Sequence, residues 1–267
     1  MIRVVVSGAV GRMGKEVVKT VWQADDVELA GVVDTYGVGE DIGSLAGIGA
    51  IGITVQEDLR TVLNNLQPHV VVDFTAPQVV AGNARTILEC GVCPVIGTTG
   101  LSPSDIDDLR KLAEEQQVGG VIAPNFAIGA LLMIKFAKEA VKYFPHVEII
   151  EEHHDQKVDA PSGTAIKTAE ILAEQRGDFH QGLPTEVENL SGARGAEFDG
   201  GIRIHSVRLP GLVAHQEVIL GGLGQTLKIR HDSIARESFM PGVLMAVRKV
   251  MSVKGLVYGL ENLIFED

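Results

Sequence analysis

Along residues 1–126 the period of the hydrophobic pattern keeps switching. Short apolar runs, "IRVVVSG", "VELAGVVD", "HVVVDFT", "CPVIGTTG" and "GGVIAPNF", alternate with stretches of helical spacing, "RMGKEVVKTVWQ", "EDLRTVLNNL", "PQVVAGNARTILECG" and "SPSDIDDLRKLAEEQ". Apolar runs of about four to eight residues between helices predict strands buried on both faces. That arrangement is a parallel sheet with helices on each side, a doubly wound α/β fold. Local signals agree. Ser102 stands at an N-cap with Pro103 at the first helical position, and Gly91 stops the helix before it.

After Phe126 the rhythm changes. A long apolar helical stretch, "ALLMIKFAKEAVKYF", leads into the strand-like "VEIIEEHH", and "SGTAIKTAEILAEQ" is helical again. Residues 177–201 are polar and rich in glycine. Then "IRIHSVRL", "VAHQEVIL" and "TLKIRHDS" follow one another with turn residues between them and no helix. Such adjacency predicts a second, α+β domain on a mixed, mostly antiparallel sheet. "SFMPGVLMAVRKVM" closes the chain with a helix. We therefore draw one domain as 1–126 plus 235–267 and the second as 127–234. The apolar stripe from Leu131 to Phe144 is expected to be core.

Composition narrows the function classes. Of 267 residues, 45% are hydrophobic and 22% charged, the balance of a globular protein with a real core. No apolar run reaches the roughly 18–20 residues that span a bilayer. "MIRVVVSG" enters a strand without the features of a signal peptide, so a cytoplasmic location is expected. The net charge of −12 argues against nucleic-acid and anionic-membrane binding. Any anion site must be built locally, from helix N-termini and a few cations. Cys90 and Cys93 form a C-x-x-C pair that cannot complete a zinc site alone, and two reduced, partly buried thiols are expected.

Two stretches carry candidate chemistry. "SGAVGRMG" sets Gly8, Gly11 and Gly14 directly after the first strand and at the mouth of a helix. This G-x-x-G-x-x-G lets backbone approach a pyrophosphate, whose charge rests on the helix N-terminus. Asp34 ends the second strand, where an acidic residue holds the adenosine ribose, and Arg12 can pair with phosphate. The fold expected is thus Rossmann-like, with a structural βαβ turn as the bland alternative. "GTTG" (97–100) and "APNF" (123–126) end strands of the same sheet, where backbone and hydroxyl donors can hold a nicotinamide ring; ordinary strand-to-helix loops are the alternative.

The second stretch is "EEHHDQKVDAPSGTA", residues 151–165. Three readings compete. A metal site is disfavoured, because neighbours on a strand point to opposite faces and His153 and His154 cannot easily share an ion. A solvated charge run is the second. The third is an anionic-substrate site: Lys157 and the histidines supply charge and protons, and Ser162, Gly163 and Thr164 open a helix whose unpaired N–H groups bind a carboxylate.

Taken together, "GAVGRMG", "DFTAP", "GTTG", "APNF" and "EEHHDQKVDAPSGTA" resemble the dihydrodipicolinate reductase family nearly end to end. The resemblance implies NADH- or NADPH-dependent reduction of a cyclic dicarboxylate imine to tetrahydrodipicolinate, on the diaminopimelate route to lysine. It implies a hinged two-domain chain, a homotetramer joined through the second domains, and no metal. It assigns Gly8, Ala9, Val10, Gly11, Arg12 and Met13 to the cofactor phosphates and Asp34 to the ribose. Gly97, Thr98, Thr99, Ala123, Pro124, Asn125 and Phe126 fall at the nicotinamide end. His153 becomes the catalytic acid/base, Lys157 a proton donor, and His154, Ser162, Gly163 and Thr164 substrate binders. Many members carry an arginine after the acidic residue of the second strand. Here Thr35 stands there, which favours NADH at least as much as NADPH. The rivals are another two-domain NAD(P) oxidoreductase, which would lack the H-H-x-x-K…S-G-T run, and a dinucleotide-sensing regulator, which would carry a DNA-binding helix pair or basic patch.

Overall fold

The computed structural model describes residues 1–265, which form two compact units. The first holds Met1–Phe126 and the segment from Phe239 onward; the second is Ala127–Ser238. The return crossing falls at 238/239, beyond residue 234. Ser238 ties residues 235–238 to the second unit through its hydroxyl, which bonds the Ser233 hydroxyl and the Ala235 carbonyl.

The first unit begins with β1 (Ile2–Ser7), α1 (Arg12–Gln23), β2 (Val27–Val33), α2 (Ile42–Ala46), β3 (Val55–Gln56), α3 (Leu59–Leu66), β4 (Val70–Asp73), α4 (Val80–Glu89), β5 (Cys93–Ile96), α5 (Pro103–Gln116) and β6 (Gly120–Ile122). The helix ends follow their sequence signals. Ser102 and Asp105 make a reciprocal capping box on α5, and Gly91 takes a left-handed φ of 71° after α4. The strands are apolar throughout because both faces are covered. Val5, Val71 and Ile96 pack with Leu63, Ile87, Leu88 and Leu109 from α3, α4 and α5. The alternate positions Val4, Val6, Val70 and Val72 are equally buried. Each such side chain contributes about 1.5–3 kcal/mol by leaving water.

The second unit contains α6 (Ile128–Ala140), β7 (His146–His153), α7 (Gly163–Arg176), β8 (Ala196–Phe198), β9 (Ile202–Arg208), β10 (Ala214–Gly222) and β11 (Gln225–Ser233). Its five-stranded sheet has the order β11-β10-β7-β9-β8. Only β7 and β9 run parallel; the other pairs are antiparallel. One face packs Val147, Ile149, Ile202, Ile204, Val218 and Leu220 against Met133 and Ala137 of α6 and Ala165, Ala169 and Leu172 of α7. One strand is added here and one expectation corrected. β8 lies within the glycine-rich segment, and the Leu131–Phe144 stripe is core on one side only. Phe136 and Tyr143 stand 54% and 80% exposed, since a helix on a sheet buries a single stripe.

Back in the first unit, the chain adds α8 (Met240–Lys249), β12 (Leu256–Tyr258) and α9 (Glu261–Ile264). β12 pairs in parallel with β6 and completes a sheet of order β12-β6-β5-β4-β1-β2-β3. The order reverses at β1, which neighbours both β2 and β4. Ligands of such sheets bind outside the carboxyl ends of the strands at that reversal, and the glycine-rich loop leaves β1 there.

Candidate active site

The loop after β1 is built by exclusion of side chains. Gly8 takes φ 76°, and a Cβ there would stand 2.5 Å from the Phe74 carbonyl oxygen. A Cβ on Gly14 would run into the Gly8 carbonyl oxygen. Gly11 is the N-cap of α1 in extended conformation, and no side chain caps that helix. The first-turn N–H groups of Arg12 and Met13 are therefore offered to an anion rather than to a capping oxygen. Ala9 is fully buried, Val10 and Met13 half-buried, and Arg12 exposed. The Asp34 carboxylate accepts the Val10 N–H at 2.9 Å and the Tyr36 N–H at 3.0 Å, so it braces the loop from the end of β2. Close backbone, an open helix start and an acidic residue at the next strand end fit a dinucleotide.

The loops after β4, β5 and β6 come together through strand pairing, and one residue joins the first two. Asp73 is fully buried and accepts from the Thr75 hydroxyl (2.7 Å), the Thr75 N–H (3.1 Å), the Asn83 amide (2.9 Å) and the Thr98 hydroxyl (2.8 Å). Gly97 leaves room for the Phe74 ring, which lies 5.8 Å from the Phe126 ring between centroids. Of the positions expected to face a nicotinamide, Thr98, Ala123 and Phe126 are buried, Gly97 and Asn125 half-buried, and Thr99 and Pro124 exposed. Sequence reading quoted Asp73 but gave it no role; an acidic residue ending an otherwise apolar buried strand was the available signal.

In the second unit β7 ends at His153, and His154 lies just past it, exposed. A turn follows, in which the Lys157 N–H donates to the His154 carbonyl. The Lys157 ammonium is largely covered and pairs with Asp159 at 2.7 Å, which holds the Asp159 carboxyl below its ordinary value. Ser162 is the N-cap of α7, its hydroxyl accepting the Ala165 N–H. Gly163 and Thr164 open the first turn. Gly163 is exposed, and a Cβ there would meet nothing within 4 Å.

A fully buried carboxylate, Glu151, connects these parts. It accepts from His153 Nδ1 (2.5 Å), from both Arg208 Nη atoms (2.8 Å each) and from the Ser162 N–H (3.1 Å). Burial alone would raise its pKa; the bonds from His153, Arg208 and Ser206 outweigh that and hold it at about 2. Sequence reading missed Arg208, which sits beside His153 only because β9 pairs in parallel with β7.

Comparison with known proteins decides the family. The model of the dihydrodipicolinate reductase N-terminus matches residues 2–126, and that of its C-terminus matches residues 129–264. The chain belongs to the dihydrodipicolinate reductase family. A 4-hydroxy-tetrahydrodipicolinate reductase of Syntrophomonas wolfei is 57% identical over 98% of both chains, and one of Moorella thermoacetica 55% identical over 98% of both. Among solved structures, the dipicolinate-bound dihydrodipicolinate reductase of Paenisporosarcina sp. TG-14 is 48% identical, with a TM-score of 0.88 over 99% of this chain and 100% of that one. Membership makes the chain an NAD(P)H-dependent oxidoreductase whose first unit is the dinucleotide-binding one. Among the described residues, no three His, Cys, Asp or Glu side chains are grouped to hold a metal, and Cys90 and Cys93 are free, partly buried thiols.

Proposed function

We propose a division of labour for the family's reaction, in which the first unit presents the hydride donor and the second binds the dicarboxylate and supplies the proton. The reaction is reduction of dihydrodipicolinate, formed from 4-hydroxy-tetrahydrodipicolinate, to tetrahydrodipicolinate in diaminopimelate and lysine biosynthesis. Gly8 to Met13 receive the cofactor phosphates, Asp34 the ribose, and residues 97–99 and 123–126 the nicotinamide end. When bound, the reduced nicotinamide supplies a hydride. The first turn of α7, through the Ser162 hydroxyl and the Gly163 and Thr164 N–H groups, takes one substrate carboxylate, and His154 orients another. Hydride addition leaves negative charge on the conjugated ring, which must then gain a proton. Lys157 stabilises that charge and donates the proton, exchanging Asp159 for substrate. His153 acts as acid/base. The observation that carries this reading is the junction of His153 and the Ser162 turn on one carboxylate, Glu151. The test is loss of reduced-nicotinamide absorbance with and without the product of dihydrodipicolinate synthase. Activity without that product, or none with it, would overturn the reading.

Three finer points belong to the same proposal. NADH serves at least as well as NADPH, since Asp34 is followed by Thr35 and a carboxylate repels a 2′-phosphate. A preference for NADPH above tenfold in kcat/KM would reverse this. The chain forms a homotetramer through the open sheet of the second unit, where β11 is an edge strand and Ile150 and Ile219 sit on the face away from α6 and α7. Sedimentation at working concentration tests it. A cytoplasmic location belongs to the same proposal, as the place of an amino-acid biosynthetic reaction; among the described residues no helix is long and apolar enough to cross a membrane.

A further inference from the structure

We infer that Glu151, clamped by Arg208, is a positioning residue that sets the tautomer of His153 and fixes both the Lys157 loop and the first turn of α7. The inference rests on the reading of His153 as the acid/base. Its physical basis is a count of donors. Arg208 and the Ser162 N–H have hydrogens to give and no acceptor to offer. Ionised Glu151 can only accept, so the nitrogen of His153 that faces it, Nδ1, must carry a hydrogen. Nε2 is then the ring atom left to take up and return a proton. The same guanidinium reaches further. Arg208 Nη2 donates to the Asp159 carbonyl at 2.8 Å, and Nη1 to the Val207 carbonyl at 2.8 Å. Asp159 is the partner of Lys157. One ion pair, buried at its carboxylate, thus holds the acid/base ring, the loop that bears the cation and the start of α7. The parallel register sets His153 opposite Arg208, so the clamp is carried by two adjacent strands rather than by a loop.

Glu151→Gln keeps the shape and forces a choice. An amide nitrogen at the Oε1 position would confront two donors, the Ser162 N–H and Arg208 Nη2. At the Oε2 position it confronts Arg208 Nη1, and His153 can adapt by becoming an acceptor at Nδ1; the Ser206 hydroxyl, which also bonds this carboxylate, can accept as readily as donate and opposes neither orientation. The substitution therefore flips the neutral His153 to the Nε2-protonated tautomer, with an expected fall in kcat of about 10²-fold or more, within the range that general acid–base catalysis contributes. Nitrogen NMR of the imidazoles reads the tautomer directly, and NADH affinity serves as the control. In the unmodified protein, neutral His153 is expected to be protonated on Nδ1. The opposite tautomer there would overturn the inference without any variant, which covers the case that Glu151→Gln fails to fold. An unflipped ring in the folded variant would also overturn it. So would a flipped ring with undiminished kcat, and full activity of His153→Ala would then place the fault in the reading of His153 itself.

Discussion

The glycines at 8 and 14 and the glycine at 163 all stand at helix starts, for opposite reasons. Around Gly8 and Gly14 there is no room: backbone from the neighbouring loop and from the loop's own first turn occupies the space a Cβ would need. Around Gly163 there is nothing but room. In the first case glycine is required by the folded chain itself. In the second the folded chain would accept alanine, so packing within this unit does not require glycine there. A crowded glycine reports on packing; at an uncrowded one packing is silent. The supports differ as well. The first loop is held by main-chain bonds and Asp34, the second by an ionised Glu151–Arg208 pair.

The largest expected effect lies in the second region. His153→Ala and Lys157→Ala should each lower kcat by about 10²-fold or more, the scale of general acid–base catalysis, with NADH binding unchanged. A Lys157→Ala enzyme that is folded and within threefold of the parent would reduce the region to a passive anion site. Next is acid stability. The folded value of about 2 for Glu151 lies below the ordinary carboxyl value, so the unfolded chain takes up the proton first as pH falls. Stability present above about pH 4.5 is lost as pH drops toward 2, by up to about 3 kcal/mol. Thermal melts across that window should show it, and Glu151→Gln should flatten the dependence. Gly14→Ala should cost about 1–3 kcal/mol in melting stability through overpacking and weaken NADH binding, whereas Gly163→Ala should leave the melting temperature alone. A destabilised Gly163→Ala would erase the contrast. Smallest is Gly163→Val, for which KM for the dicarboxylate should rise about tenfold, worth about 1.4 kcal/mol, with NADH affinity intact.

Much of this was legible in the chain. The strand–helix alternation gave the doubly wound unit, and "SGAVGRMG" and "EEHHDQKVDAPSGTA" marked the candidate region of each unit. What stayed hidden depends on pairing between distant segments. Arg208 lies 57 residues from Glu151, and no local pattern says that β9 runs parallel to β7. The role of Asp73 depends on Thr98 arriving from the neighbouring strand end. β8 and β12 have three residues each, too short for a period to show. His154 was read into a strand that ends one residue earlier.

The strand β12 also sets an order of events during synthesis. It comes from near the end of the chain, yet it forms the outer edge of a sheet whose other strands are complete by residue 122. The second unit is continuous and can fold as soon as it emerges. The first must wait with β6 as an open parallel edge, its row of peptide groups available to any other strand, until residue 258 has been made. A chain ending at residue 238 is expected to associate through that edge, and light scattering during its refolding would register it against the full-length chain.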